Sequence, residues 1–409
     1  MSLHTLMFGW EYPPRHSGGL GIACQGLVRG LLKHGVQVTL VLPNAHEGSD
    51  DITVICPTEE QKLLSRLSIR SKLQPYDTFA DYSTRAKTEI ISLPRDAQEL
   101  YGENLGEAVE QFAQLSVEIT TNVNPDVVHC HDWMTFEAGI RTSRQKRKPL
   151  VAHIHATELD RTDFHPNEWI AARERGGLLA ADRVIAVSGY TKNMLMRHYG
   201  IPGDKIAVIH NGHDREHFPV QSVLRNPFTQ GKNPLILFLG RLTVQKNPWQ
   251  FLEMAKRVHD LRPDVRFVMA GDGPMLGTLI DRACELHLQD CVIFTGKAGR
   301  EEVRSLFAAA SCFVMPSLSE PFGLVALEAI EHGTPVILSK QSGAAEVIQH
   351  AFTVDAWDAE KMADCVLTIL REEPLAQQLR SEAPHVLRRL TWQNQAGNVR
   401  SIYQNLITS

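Results

Sequence analysis

Two carboxylates, Glu320 and Glu328, are eight positions apart in a stretch whose pattern changes from strand to loop to helix. The apolar run Ser311–Pro316 is typical of a buried strand, and the apolar spacing over Gly323–His332 predicts a helix. Glu320 then lies in the turn before the helix, and Glu328 lies within it. Free backbone N–H groups at a helix start favour an anion, and ionised carboxylates accept hydrogen bonds from hydroxyl groups. The pattern suits a phosphorylated, polyhydroxylated ligand such as a nucleoside diphosphate.

The elements that must position these carboxylates alternate along the whole chain. Apolar runs are followed by amphipathic stretches, which is typical of parallel strands joined by crossover helices. The strands expected in the first half span residues 5–8, 36–42, 127–130, 150–155, 183–187 and 206–209, and those in the second half span 235–239, 265–270, 292–294, 313–315 and 335–338. The sequence therefore predicts an α/β protein with two doubly wound domains. Ligands of such sheets bind at the carboxyl ends of the strands.

The length of 409 residues also favours two domains. We expect the first domain over residues 1–215 and the second over 216–390, with the polar stretch 226–234 as the best candidate for a linker. Segment 58–100 carries no motif that we recognise. Its part from Gln61 to Lys87 predicts a mobile, partly helical insertion, with an acceptor-binding flap as the alternative.

Composition excludes several classes of partner. A net charge of −5 gives no long-range attraction to nucleic acid or to an anionic membrane. No apolar run approaches the length of about 20 residues that spans a bilayer, and no signal-peptide pattern is present, so a cytoplasmic protein is expected. The 7 cysteines are scattered and predict free thiols. The run His129–Asp132 offers metal-ligand types, but neighbouring side chains on a strand point to opposite faces, and no metal site is predicted.

The run Glu320–Leu324 with the second carboxylate at Glu328 resembles the E-x7-E motif of retaining GT-B glycosyltransferases of family 4. The glycine-rich turn Ser17–Gly21 and the basic pair of Arg241 and Lys246 resemble further motifs of that family, so the likeness extends over nearly the whole chain. It implies a GT-B fold, with two Rossmann-like domains facing a central cleft. It further implies that a C-terminal helix within residues 391–409 crosses back to pack on the first domain.

The same resemblance implies a set of catalytic residues. Arg241 and Lys246 would neutralise the charge that builds on a leaving diphosphate, and fixed cations contribute more in a water-excluded crevice than in bulk water. His155 would bond a hydroxyl of the donor sugar, and Glu320 would approach the hydroxyls of the transferred sugar. The sequence contains no Asp-x-Asp motif, so these cations are expected to act without an obligatory metal or other cofactor.

Donor-binding residues are implied in the same way. Backbone groups would come from two stretches, and Glu328 would hold the ribose. The residues of the two stretches are Gly19, Leu20, Gly21, Phe322, Gly323 and Leu324. Asp132 could bond an acceptor or sugar hydroxyl, but capping of the next helix explains it equally well.

Within the family, His131–Trp133 and His155–Glu158 are similar to motifs of glycogen and starch synthases. This likeness implies transfer of a glucosyl unit from ADP-glucose or UDP-glucose to an α-glucan. One departure is Ser17, which stands before the glycines where bacterial relatives usually carry a Lys-x-Gly-Gly-Leu run. The alternatives are a family 4 enzyme acting on a small sugar or a cell-surface glycan, a nucleotide-sugar epimerase, and a non-catalytic binding protein. The base of the donor is left open.

Overall fold

The computed structural model describes residues 2–13, 19–42, 64–68, 105–214 and 233–408. Within these ranges, apolar runs bounded by glycine and polar turns form the strands of two parallel sheets. One sheet has seven strands and the other has six, and every paired neighbour within them is parallel. Among the described residues, helices lie between most of the successive strands in both halves. The predicted α/β class with two doubly wound domains is confirmed.

The first sheet has the strand order β3-β2-β1-β4-β5-β6-β7. Its strands are β1 His4–Phe8, β2 Gln37–Leu42, β3 Leu64–Ser68, β4 Val127–His131, β5 Leu150–Ile154, β6 Arg183–Ala186 and β7 Ile206–Val208. Its helices are α1 Gly19–Lys33, α2 Leu105–Ile119, α3 Trp133–Lys146, α4 Glu158–Arg161, α5 Glu168–Ala180 and α6 Gly189–His198. The direction of winding reverses between β1 and β4, so the loops after these strands face the crevice where ligands of such sheets bind.

The second sheet has the order β10-β9-β8-β11-β12-β13. Its strands are β8 Leu235–Leu239, β9 Arg266–Ala270, β10 Val292–Gly296, β11 Cys312–Met315, β12 Val336–Ser339 and β13 Phe352–Val354. Its helices are α7 Pro248–Leu261, α8 Leu276–Glu285, α9 Arg300–Ala309, α10 Leu324–Glu331, α11 Ala359–Arg371 and α12 Glu373–Glu382. Here the winding reverses between β8 and β11, which are the strands that precede Arg241 and Glu320.

The last helix, α13 (Trp392–Thr408), packs against α1 of the first domain. Two glycines of α1 allow the close approach. A Cβ atom at Gly26 would lie 2.2 Å from the indole of Trp392, and one at Gly30 would lie 2.6 Å from the Cβ of Ala396. Glycines are costly inside a helix, and the close approach of α13 explains both: the Trp392 indole lies against Gly26, and Ala396 with the Trp392 backbone lies against Gly30.

Segment 58–100 is partly described, and it corrects one expectation. Leu64–Ser68 is an edge strand that pairs in parallel with β2, which the expectation of a mobile, partly helical insertion did not include. A parallel edge strand needs only a short run that fits its neighbour, and the run Leu64–Ser68 has too few apolar residues to reveal one. Several of our predictions fall outside the described residues. They concern the rest of that segment, the predicted domain boundary at 215/216, residues 226–232 of the predicted linker, and Ser17 with Gly18. Across the described ranges, no helix is both long enough and apolar enough to cross a membrane.

Candidate active site

A cleft with a volume of about 300 Å³ lies where the carboxyl ends of the two sheets face each other. Both domains line it. The predicted site residues on its wall are Gly19, Leu20, His155, Arg241, Lys246, Glu320, Phe322, Gly323 and Leu324. Positions more than 300 residues apart in sequence thus meet around one cavity.

Lys246 and Glu320 form an ion pair at the base of this cleft. The chain leaves β8 and makes a single 3-10 turn, Val244–Lys246, which directs the ammonium group towards the loop after β11. Lys246 Nζ lies 2.5 Å from Glu320 Oε2, and the Ser317 hydroxyl donates to the same oxygen at 3.1 Å. Glu320 is only 7% exposed, so its charge is balanced by these neighbours rather than by bulk water.

The loops that carry this pair are tied together by two amide side chains. Gln245 Nε2 donates to the Ser319 carbonyl at 3.0 Å, and Asn247 Nδ2 donates to the Pro316 carbonyl at 3.1 Å. Both amides are buried, which makes these hydrogen bonds expensive to lose. Gln245 also lines the cleft, and we did not single it out from sequence.

The helix α10 begins directly after Glu320. Gly323 precedes it with φ 99°, a left-handed conformation that favours glycine, and no side chain caps the free N–H groups of the first turn. Leu324 and Val325 of that turn line the cleft. Glu328 is half-buried and does not line the cavity, but it lies one turn further along the same helical face. A ligand extending along α10 from the cleft would meet it.

The glycine turn on the opposite wall is the first turn of α1. Gly19 and Leu20 line the cleft, whereas the N–H of Gly21 donates to the buried carboxylate of Glu11 at 3.1 Å. Gly21 therefore offers no free N–H group to a diphosphate in this arrangement. Glu11 is 1% exposed and fixes the start of the helix.

Asp132 follows β4 and holds the backbone of His155. Its Oδ1 accepts from the His155 N–H at 2.7 Å. Although Asp132 precedes α3, its side chain makes no capping hydrogen bond, so the alternative that it caps this helix was wrong. The carboxylate reaches across to the neighbouring strand end instead. Burial raises the pKa of Asp132 to about 6, which the nearby Arg161 and the hydrogen bonds from backbone N–H groups only partly offset.

Four imidazoles form a ladder: His129 and His131 lie on β4, His153 lies on β5, and His155 directly follows β5. Alternation along each strand places them on one face, and the register pairs His131 with His153. Consecutive rings stack, with centroids 4.5 Å apart for His129 and His131 and 4.3 Å apart for His153 and His155. Burial lowers the pKa of both His129 and His155 to about 3, so the rings are neutral at pH 7.

Nitrogen atoms of His129, His131 and His153 lie within 4.8 Å of one another, as in a candidate metal site. A metal must lie close to the plane of each ring that ligates it. These rings stack at interplanar angles of 18° to 31°, so their in-plane lone pairs run side by side. The arrangement as it stands does not direct three nitrogens at one point.

Arg161 also lines the cleft and was missed from sequence. Its buried guanidinium donates to Glu174 at 2.7 Å, to Glu158 at 3.3 Å and to the Ala156 carbonyl at 3.0 Å. Burial raises the pKa of Glu174 to about 7, against the opposing effect of Arg161. The charges clustered directly after β5 were the available sequence signal. Asn211 lines the cleft as well.

Comparisons with known proteins agree with this geometry. Residues 17–217 match the family model for Glycosyltransferase Family 4, and residues 222–386 match that for Glycosyl transferases group 1. The chain is 30% identical to an uncharacterized glycosyltransferase of Methanocaldococcus jannaschii, over 84% of this chain and 82% of the relative. It is 28% identical to a glycogen synthase of Mycobacterium tuberculosis, over 98% of this chain and 94% of the relative. The catalytic domain of starch synthase IV from Arabidopsis thaliana, bound to ADP and acarbose, superposes with a TM-score of 0.73 at 17% identity, with 100% of each chain covered.

The two facing Rossmann-like domains and the cleft between them define the GT-B class of glycosyltransferases. The chain belongs to glycosyltransferase family 4.

Proposed function

We propose that the chain is a retaining glucosyltransferase that transfers a glucosyl unit from ADP-glucose or UDP-glucose to an α-glucan acceptor. The observation that carries this proposal is the meeting of Arg241, Lys246, Glu320 and His155 around one cleft. The similarity to a glycogen synthase over nearly the full length supports the choice of glucan and glucosyl donor. The starch synthase structure, which holds ADP and acarbose, supports the same choice.

Arg241 and Lys246 offset the negative charge that develops on the leaving diphosphate. Lys246 is held in place by Glu320 before the donor arrives, so little reorganisation of this cation is needed in the transition state. Glu320 accepts hydrogen bonds from sugar hydroxyls while the diphosphate competes for Lys246. This exchange is feasible because the partners of the ion pair both face the cleft. We expect turnover without a divalent metal.

His155 acts as a neutral hydrogen-bonding group in this scheme. Its Nε2 pairs with His131 Nδ1 at 2.9 Å, and its buried Nδ1 has no partner among the described residues. The residue itself lines the cleft, where a sugar hydroxyl would meet it. Glu320 is the one carboxylate among the described residues that line the cleft, and it is ion-paired. Without a second carboxylate to serve as nucleophile, front-side displacement with retention is the mechanism we favour.

A thermal-shift screen with ADP, UDP and GDP sugars, followed by product analysis, tests the proposal. Stabilisation by ADP-glucose or UDP-glucose and α-linked extension of glycogen or maltose are expected. Products formed only with small sugars or lipid acceptors would favour the other family 4 activities. Conversion of the donor without any acceptor would indicate an epimerase, and binding without turnover would indicate a binding protein.

The ribose contact has its own test. Glu328→Ala should weaken ADP or UDP binding about 10- to 150-fold, since a charged hydrogen bond contributes about 1.5–3 kcal/mol. Glu360→Ala removes a carboxylate that is 81% exposed on α11 and serves as the matched control. Equal affinities of the two variants would contradict the role of Glu328.

A further inference from the structure

The loop that carries Glu320 is tied to the first domain on both sides of that residue. On one side, the Ser319 hydroxyl donates to the Asp160 carboxylate and lies 2.8 Å from the Tyr190 hydroxyl. On the other side, the Ser188 hydroxyl donates to the Pro321 carbonyl at 2.6 Å. Glu320 is therefore held between two contacts that cross from one domain to the other.

These contacts are buried and their first-domain partners are rigid. Ser319 and Asp160 are each 1% exposed, and Ser188 is fully buried. The second oxygen of Asp160 accepts from the N–H and the hydroxyl of Thr157, at 2.7 and 2.8 Å, in a capping box at the start of α4. Ser188 caps α6 by accepting from the N–H of Thr191 at 3.0 Å. The Asp160 carboxylate and the Ser188 hydroxyl are thus oriented by helix caps of the first domain.

The second domain holds the backbone of the same loop at Glu320, whose N–H donates to the Gln341 carbonyl at 2.8 Å and whose carbonyl accepts from the Gly343 N–H at 2.9 Å. Gln245 supports the Ser319 carbonyl, and Lys246 and Ser317 contact the Glu320 carboxylate. None of these contacts involves the Ser319 hydroxyl or the Pro321 carbonyl, the two groups that the first domain binds. If the domains separated, both groups would lose their described partners, and Glu320 between them would keep only its contacts within the second domain.

We infer that Asp160, Ser188 and Tyr190 are positioning residues which place the Glu320 carboxylate when the two domains are together. The inference rests on the proposed function, in which Glu320 meets the transferred sugar. By this inference, side chains of the first domain help to position a donor-site residue that belongs to the second domain. Misplacement of a reacting group by about 1 Å can cost on the order of 100-fold in rate.

Two variants of the full chain test this, Ser319→Ala and Tyr190→Phe. Each removes a hydroxyl of the tether, by which we mean the contacts of Ser319 and Pro321 with the first domain. Both variants leave the Lys246 and Glu320 side chains themselves unchanged. We expect kcat to fall about 10- to 100-fold while the dissociation constants of ADP and UDP change less than about twofold. Ser319→Thr, which retains the hydroxyl, should recover most of kcat. Ser305→Ala removes a buried hydroxyl that bonds within α9 at 3.0 Å and is the matched control.

Hydrogen exchange of residues 316–323, measured by mass spectrometry, provides a readout that needs no turnover. Faster exchange in Ser319→Ala and Tyr190→Phe, but not in Ser305→Ala, is expected together with the loss of kcat. Unchanged exchange in both tether variants would overturn the inference, and so would faster exchange with kcat within twofold of the parent. A parent protein that transfers no sugar would instead refute the proposed function, and the exchange rates would still decide whether the tether holds the loop.

Discussion

The histidine ladder predicts a component of stability that is lost in acid, and His129 allows it to be measured. The ring of His129 is fully buried, and burial, with a smaller effect of His155, lowers its pKa from 6.5 to about 3. Below about pH 6.5 the unfolded chain binds a proton at this ring and the folded protein does not. The free energy of unfolding therefore falls as the pH falls through this window, and above it the ring contributes no pH dependence.

The magnitude follows from the width of the window. Each pH unit costs about 1.4 kcal/mol per imidazole, so His129 alone lowers the free energy of unfolding by about 2 kcal/mol between pH 6.5 and pH 5. Asp132 and Glu174 act in the opposite direction. Burial raises their pKa values to about 6 and about 7, so the folded protein takes up protons before the unfolded chain does. A pH profile of the parent protein alone would mix these effects.

The comparison of His129→Leu with the parent protein removes the contribution of the carboxylates. Urea unfolding of both proteins at pH 7.5 and pH 5, followed by tryptophan fluorescence, gives the stability of the variant relative to the parent at each pH. Loss of the contact to Tyr403 shifts both values equally. We expect the free energy of unfolding of the variant, relative to that of the parent, to be about 2 kcal/mol higher at pH 5 than at pH 7.5. His385→Leu removes a ring that is 57% exposed and should show no comparable gain. A relative stability of His129→Leu that is the same at both pH values would refute the reasoning.

Three further predictions concern the cleft and the fold. Lys246→Ala should reduce kcat about 100-fold or more in a donor-consumption assay, because it removes a fixed cation and leaves the negative charge of the buried Glu320 without its ion-pair partner. Lys256→Ala, which breaks a surface ion pair, is the control. Similar rates for both variants would exclude the proposed role of Lys246. Gly26→Ala should destabilise the protein by about 1–3 kcal/mol in urea unfolding, since the new Cβ meets the Trp392 indole. As the control, Gly277→Ala places its Cβ in open space and should be neutral or slightly stabilising. A Gly26→Ala variant as stable as the parent would show that α13 does not pack as described. Addition of EDTA should leave turnover unchanged, and abolished activity that Mg²⁺ restores would show that the cations of the cleft are insufficient.

Local sequence determined the secondary structure and therefore the fold class. The runs that form β8 and β11 are apolar throughout, and the charged residues after each run necessarily fall at the carboxyl ends of the strands. This pattern indicated Glu320, whereas Arg241 and Lys246 were chosen because they resemble the basic pair of family 4. The strand Leu64–Ser68 was missed because an edge strand has weaker periodicity than a central one.

Tertiary structure alone decided which of these residues touch. The pair of Lys246 with Glu320 joins positions 74 apart, and the contact of Ser319 with Asp160 joins positions 159 apart and in different domains. The histidine ladder exists because β4 and β5 are neighbours in the sheet, and Asp132 turns to His155 for the same reason. Such contacts depend on strand order and on the packing of one domain against the other. Neither is encoded in local propensity, since the free energy that selects them comes from burial shared among distant segments.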